Sequence, residues 1–319
     1  MSFALKEIND AKKRISPYIL RTPLLRMPVL DERLGCEVYV KLECMQITGA
    51  FKLRGAMNKL LSLPPEQLSH GVVTASTGNH GRAMAYAAKM LGAKATVVMP
   101  KTAPQVKIDA VRALGAEVVL CDAEERFDVA ERVREESSGT MVPPYNDDTI
   151  MAGQGTLGLE MLEQQPDLDA VVVPVGGGGL IAGIATAVKE SAPRVRVYGA
   201  DPAVLPAYAQ SLKAGKMLKL PLQMTVAEAL LCQTPGDKCF PCLQKYVDKV
   251  ASVSEPFILK GMKTLLTEGK ILAEASSCIG VGAALEKLLP VGPKDKVCFL
   301  ISGGSVGVEQ LRMLEEVEL

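Results

Sequence analysis

The stretch Ala170-Val-Val-Val-Pro-Val-Gly-Gly-Gly-Gly-Leu-Ile-Ala-Gly-Ile-Ala-Thr-Ala-Val188 decides how this chain folds. It is uncharged throughout and near the length that a membrane-spanning helix needs. Pro174, the four consecutive glycines and Gly183 would weaken such a helix. The stretch therefore reads as a buried strand over 170–175, a glycine turn, and a buried helix over 180–190. A strand that is apolar without alternation, feeding directly into a helix, is the unit of a parallel sheet covered on both faces.

Outward from this unit the same alternation recurs. Runs rich in Val, Ile and Ala predict further strands at 37–43, 71–75, 95–99, 117–121, 195–200 and 296–301. Amphipathic stretches predict helices at 79–91, 105–114, 123–136, 255–268 and 305–316, and another begins at Lys52 and runs to about Leu61. The expected fold class is α/β, with two lobes, each a largely parallel sheet flanked by helices. The compact run over 66–147 reads as a small domain, and residues 1–65 with 148–319 as a large one. Three turns, Ser76-Thr77-Gly78-Asn79-His80, Gly176–Gly179 and Ser302-Gly-Gly304, each follow a predicted strand. Ligands of parallel sheets collect at the carboxyl ends of strands, so these turns are expected to wall one cleft between the lobes.

Composition narrows the function classes. The 319 residues carry 36 basic and 36 acidic side chains, 48% hydrophobic residues and 23% charged ones. That apolar content excludes a disordered chain. The charge balance leaves no electrostatic footprint for nucleic acid or for an anionic membrane. The N-terminus has no apolar core after a basic start, so no secretory signal is read. Eight scattered cysteines then read as free thiols of a cytoplasmic protein. Cys239-Phe-Pro-Cys242, with Cys232 nearby, has redox or zinc spacing. A zinc site needs a fourth ligand, and His70 and His80 are the only histidines, so no metal is expected.

The tetraglycine turn is the clearest candidate for chemistry. Without Cβ atoms its N–H groups can converge on an anion, and the following helix N-terminus adds partial positive charge. Phosphate is the natural guest; read alone, the turn is also a tight strand-to-helix connection with nothing bound. Gly177-x-Gly179-x-x-Ala182 fits a dinucleotide fingerprint, with Asp201 standing 22 residues after Gly179 where a ribose-binding acid would lie. A nicotinamide enzyme is thus an alternative by spacing. Thr48-Gly-Ala-Phe-Lys-Leu-Arg-Gly55 argues against it. Lys52 opens a helix directly after Phe51. A pocketed lysine becomes nucleophilic when desolvated, and an aromatic neighbour packs beside a flat ring.

Together, Thr48–Ala56, Ser76–His80, Gly176–Gly179 and Ser302–Gly304, in this order and at these separations, resemble the β-family (fold-type II, tryptophan synthase β-like) pyridoxal-phosphate enzymes. The resemblance is to the serine/threonine dehydratase and serine racemase branch and runs from about residue 5 to 312. It implies pyridoxal 5'-phosphate as cofactor and Lys52 as its Schiff-base lysine and later the base at Cα. It places Phe51 beside the ring, Asn79 on the 3-hydroxyl, Gly176, Gly177, Gly178 and Gly179 around the phosphate, and Ser302 at the pyridine nitrogen. Ser76, Thr77, Gly78, Asn79 and His80 would hold the substrate carboxylate. His80 stands where dehydratases carry histidine and the cysteine synthase branch carries threonine. A neutral Ser302 hydroxyl leaves the ring a weaker electron sink, which suits β-elimination and disfavours transamination. The chain stops soon after the last motif, so the regulatory domain of biosynthetic threonine dehydratases is not expected. The partners implied are a small amino-acid substrate and a second copy of the chain in a homodimer.

Departures from the branch fall on the substrate side. Thr77 replaces the racemase serine or the dehydratase alanine, and is read as a loop-holding residue before a second acid/base. Ala227-Glu228-Ala229 replaces Ala-Asp-Gly, Glu274-Ala-Ser276 replaces Glu-Pro-Thr, and Ser305 replaces an asparagine. The racemase metal loop is incomplete, with Asp201 followed by Leu205 and Ala207. The expected function is a dehydratase releasing a 2-oxo acid and ammonia from a β-hydroxy or otherwise β-substituted amino acid such as threonine or serine. The alternatives are an amino-acid racemase, a dehydratase for a less common hydroxy amino acid, the nicotinamide oxidoreductase, and a silent cofactor-binding protein.

Overall fold

Side chains of a strand alternate between faces, so a strand apolar at every position must be covered on both. The central strand of the larger sheet behaves in this way. Val171 and Val173 pack on one side with Met151, Leu157, Ile181 and Ile184. Val172 packs on the other with Met262, Cys278, Ile279 and Val281. The computed structural model describes residues 3–76 and 78–319. Its strands are β1 (Leu24–Arg26), β2 (Glu37–Leu42), β3 (Val72–Ala75), β4 (Ala95–Pro100), β5 (Glu117–Cys121), β6 (Thr140–Met141), β7 (Ala170–Pro174), β8 (Arg196–Pro202), β9 (Lys249–Val253) and β10 (Lys296–Ile301).

They form two sheets. The six-stranded sheet has the order β1-β2-β10-β7-β8-β9, parallel except for the short edge strand β1. Helices Asp148–Gln164 and Gly179–Ser191 cover one face, and Glu255–Thr267 and Ala275–Leu285 the other. The four-stranded sheet, β5-β4-β3-β6, is parallel throughout. Its core joins Val72, Val97 and Met99 to Ala83, Met84 and Val111, and also to Leu53, Ala56, Met57 and Leu60 of helix Lys52–Leu61. That helix therefore packs on the smaller sheet while its first residue sits at the end of the larger one. The α/β class and the predicted strands stand. No helix of the described residues is long and apolar enough to cross a membrane; the uncharged stretch at 170–188 is β7, the glycine turn and most of a helix.

Several elements differ from the sequence expectation. Helices Asp148–Gln164 and Ala275–Leu285 carry no amphipathic signal, because nearly every residue from Ile150 to Met161 and from Ala275 to Ala284 is buried. The helix expected over 305–316 is confined to Val308–Arg312. Ser305 turns its hydroxyl to Asn79 Oδ1 instead of starting a helix, and Gly307 keeps extended backbone before it. The helix expected over 123–136 begins at Arg126.

Helix Lys52–Leu61 is fixed by a buried group of charges. The Arg54 guanidinium is fully enclosed and donates to Glu43 Oε1 and Oε2 at 2.8 and 2.9 Å and to Glu160 Oε2 at 2.9 Å. Lys41 of β2 completes the group, donating to Glu160 Oε1 at 2.6 Å, Gln164 Oε1 at 2.6 Å and Thr22 O at 2.8 Å. Burial alone would raise the Glu160 carboxyl, but Arg54 and Lys41 outweigh it and hold it below the usual range. Burial likewise opposes the Arg54 charge, and Glu43 and Glu160 more than restore it. Arg54→Leu should cost about 3–5 kcal/mol in urea unfolding, since it strands two buried carboxylates. Lys12→Ala, which breaks the exposed pair with Glu163, should cost under about 1 kcal/mol.

Candidate active site

Lys52 is the first residue of its helix, and the backbone before it is stitched to the end of β10. Phe51 N–H donates to Ser302 O at 3.0 Å, and Ala50 forms a β-bridge with Gly303. The Lys52 amine donates to Pro144 O at 2.6 Å and lies 5.1 Å from the centre of the Phe51 ring. Burial pushes its pKa down to about 8, with Cys239, Glu274 and Cys232 pulling the other way. At neutral to mildly basic pH a useful fraction of this amine is therefore unprotonated and nucleophilic.

The segment that holds Lys52 was not foreseen as functional. Residues 142–147, Val-Pro-Pro-Tyr-Asn-Asp, leave β6 and run to the helix that starts at Asp148. Val142 O meets His80 Nε2 at 3.2 Å, and Pro144 O takes the lysine. Tyr145 packs its ring on Gly177 and approaches Cys232 Sγ with its hydroxyl at 3.6 Å. Asn146 Oδ1 accepts from Lys238 N–H at 2.9 Å. Asp147 caps the helix by accepting from the N–H of Thr149 and Ile150, and pairs with Lys59 at 2.6 Å. The paired prolines and the Asp cap before an apolar run were the available signal.

The tetraglycine turn is needed for two reasons at once. Gly178 has φ +92°, in the region that favours glycine, and a Cβ there would strike the Tyr208 hydroxyl. A Cβ at Gly177 would enter the Tyr145 ring. Tyr208 also donates to Gly177 O at 2.9 Å and accepts from Gly236 N–H at 3.2 Å. Among the described residues, none of the backbone N–H groups of 176–181 meets a protein acceptor. Helix Gly179–Ser191 starts inside that run, so its free N–H groups and its positive end coincide.

The turn after β3 crosses to the turn after β10. Ser76 Oγ accepts from Gly81 N–H at 3.1 Å and Gly78 N–H at 3.4 Å. Thr77, the expected second acid/base or loop-holding residue, lies outside the described residues. Asn79 Nδ2 donates to both Glu274 oxygens at 2.9 and 3.2 Å, and its Oδ1 accepts from Ser305. Burial raises the Glu274 carboxyl, with Asn79 and the Ser305 backbone opposing. Ser302 is buried at the end of β10, its hydroxyl 3.0 Å from Ser277 Oγ. Thus Phe51 is tied to Ser302 directly, Lys52 reaches the glycine turn through 144–145, and Asn79 reaches the end of β10 through Glu274 and Ser305.

A cleft of about 380 Å³ opens beside Asn79, with Gly78, Arg82, Lys107, Ala229, Glu274, Ser276 and Ser305 in its wall. Three departures from the dehydratase pattern, Ala229, Ser276 and Ser305, thus face one space. Lys52, Ser302 and the glycine turn do not line it. The nicotinamide alternative fails at Asp201. That carboxyl is buried, accepts from Ser252 Oγ at 2.8 Å and Ala209 N–H at 3.0 Å, and is raised to about 7 by burial. It has no face left for a ribose.

These residues fit pyridoxal phosphate: free N–H groups for the phosphate, a nucleophilic amine for the aldehyde, and a flanking aromatic ring. The rate at which the cofactor-free protein captures pyridoxal phosphate, followed by absorbance, should rise with a midpoint near pH 8 and flatten above it. A lysine with an unshifted amine would keep gaining until about pH 10.

The model of the pyridoxal-phosphate dependent enzyme family matches residues 15–303. L-threonine ammonia-lyase of Thermotoga maritima is 41% identical over 309 residues, covering 96% of this chain and 77% of the relative. Serine racemase of Arabidopsis thaliana is 41% identical over 310 residues, covering 95% of this chain and 93% of the relative. Among solved structures, maize serine racemase superposes with a TM-score of 0.94 at 38% identity, covering 98% of this chain and 97% of that one. The lysine-and-glycine arrangement thus sits in a chain similar from end to end to these proteins, and the chain belongs to the family of pyridoxal-phosphate dependent enzymes.

Proposed function

We propose that this enzyme is an ammonia-lyase that removes the β-hydroxyl of an amino acid such as threonine or serine and releases a 2-oxo acid and ammonia. The observation that carries the reading is the Lys52 amine, held by Pro144 O with a pKa lowered to about 8, in contact with the same segment whose Tyr145 packs on the glycine turn. When bound, pyridoxal phosphate supplies an aldehyde carbon that joins the substrate amine and a ring that acidifies the Cα proton. The N–H groups of 176–181, which meet no acceptor among the described residues, would bind its phosphate. Lys52, as a neutral amine, would take the Cα proton, hold it, and pass it to the departing β-hydroxyl, which leaves as water; water added back to the enamine so formed would give the 2-oxo acid and ammonia. Ser302 offers the ring nitrogen a neutral hydroxyl, so no carboxylate holds that nitrogen protonated. Asn79, locked by Glu274 and Ser305, would bond the cofactor's 3-oxygen. Gly78 and its neighbours in the loop 76–80 receive the substrate carboxylate.

The finer parts of the reading follow from the same frame. Residues 66–147 act as a small domain that closes over the substrate against 1–65 and 148–319. The active form is a homodimer, for which exposed Leu20, Met45 and Ile47, brought together by the Leu20–Gln46 contacts, offer an apolar face. Eight free cysteines suit the reducing cytoplasm. A second reading, an amino-acid racemase, is supported by the identity to Arabidopsis serine racemase. It requires an acid on the far side of Cα, and Thr77 is the candidate.

Purified protein should be yellow and should release ammonia and a 2-oxo acid from at least one member of a panel of D- and L-β-hydroxy amino acids. Lys52→Ala should remove the colour and lower turnover by about 10³-fold or more. A colourless wild-type protein, or one that is yellow but inert on the whole panel, overturns the lyase. Thr77→Ala should leave elimination intact; loss of enantiomer conversion alone would assign Thr77 to racemisation.

A further inference from the structure

His80 is the second residue of helix Asn79–Met90 and is buried. Its Nε2 meets Val142 O at 3.2 Å, and a carbonyl can only accept, so Nε2 carries the proton. Burial and the nearby Lys52 charge push the imidazole pKa down to about 3, so the ring is neutral. Nδ1 is then an unprotonated acceptor, and among the described residues it is a buried atom with no hydrogen-bond partner. A buried polar atom without a partner is costly, and at a functional site it calls for a donor.

The donor is close by. Lys52 and His80 hang from the same segment, on the carbonyls of Pro144 and Val142. Both carbonyls belong to the three-residue stretch 142–144, and the Lys52 charge acts on the His80 ring. A protonated lysine has three N–H bonds, and Pro144 O is the one acceptor found for Lys52 among the described residues. One side chain thus has unused donors and its neighbour an unused acceptor. Besides each other, the titratable groups acting on this pair are Glu274, Cys232 and Cys239.

We propose that His80 Nδ1 is the second docking point of the Lys52 amine, which is held between the Pro144 carbonyl and the imidazole once it carries a proton. The inference rests on Lys52 acting as the base proposed above. The proton comes from the substrate Cα and resides on Lys52; no bond to the imidazole is made or broken, so His80 is a positioning residue. The neutral ring is essential, because a protonated Nδ1 would repel the ammonium.

The test uses the full chain without cofactor, where Lys52 is free. The pH dependence of acetylation at Lys52, read by mass spectrometry, gives the pKa of the amine. His80→Gln keeps a donor near the Nε2 position for Val142 and loses the Nδ1 acceptor; the Lys52 midpoint should fall by about one pH unit. His80→Asn restores an acceptor near the Nδ1 position and should bring the midpoint back toward wild type. Equal midpoints in wild type and His80→Gln, or equal shifts in both variants, overturn the proposal. Wild-type protein labelled with ¹⁵N-histidine gives an independent reading that needs no His80 variant. With two histidines in the chain, His70→Asn assigns the spectrum. The His80 Nδ1 resonance should be that of an unprotonated nitrogen and should move as Lys52 titrates, a movement lost in Lys52→Met. A protonated Nδ1, or a resonance indifferent to Lys52→Met, overturns it. These readings need no pyridoxal phosphate, so a failure of the lyase reading shows separately, as an absence of colour and turnover.

Discussion

A guanidinium sealed away from water can exist only if anions meet it, and Arg54 is such a group. Its anionic partners come from two places, Glu43 just after β2 and Glu160 of helix Asp148–Gln164, and Glu160 is shared with Lys41 of β2. Two cations and two anions cancel there, so the cluster tolerates burial only with all members present. Arg54 is two residues from Lys52. The ion group therefore sets where the helix starts relative to the larger sheet, and the bond from Phe51 N–H to Ser302 O sets its distance from β10. The Lys52 amine is thus placed by an ion group and a backbone bond to either side of it.

The second layer of the site is the segment 142–147. It spans the gap between β6 of the small sheet and a helix on the larger one, and Val142, Pro144, Tyr145, Asn146 and Asp147 each hold something. Proline at 143 and 144 restricts the backbone, which lowers the entropy lost in holding carbonyls in fixed positions. Because this one segment carries Lys52, His80 and the Tyr145 ring against Gly177, movement of the small sheet would be felt at the amine and at the glycine turn together.

Sequence alone determined the parallel α/β layout, the three glycine-marked turns and the family of pyridoxal-phosphate dependent enzymes. Each of these is written locally: continuous Val/Ile runs, glycines where Cβ atoms are excluded, a lysine after an aromatic. The buried helices 148–164 and 275–285 were not legible, because a helix apolar on nearly all sides has lost the periodicity that marks it. Asp201 illustrates the opposite failure: its spacing suited a ribose, and only the fold reveals Ser252 and Ala209 closing around it. Tertiary structure likewise decided the partners of Asn79, the Tyr145 and Tyr208 contacts that require glycine at 177 and 178, and the burial that lowers the Lys52 pKa. These are through-space properties. Desolvation and hydrogen-bond pairing depend on which distant segments fold together, and no local pattern of residues encodes that distance.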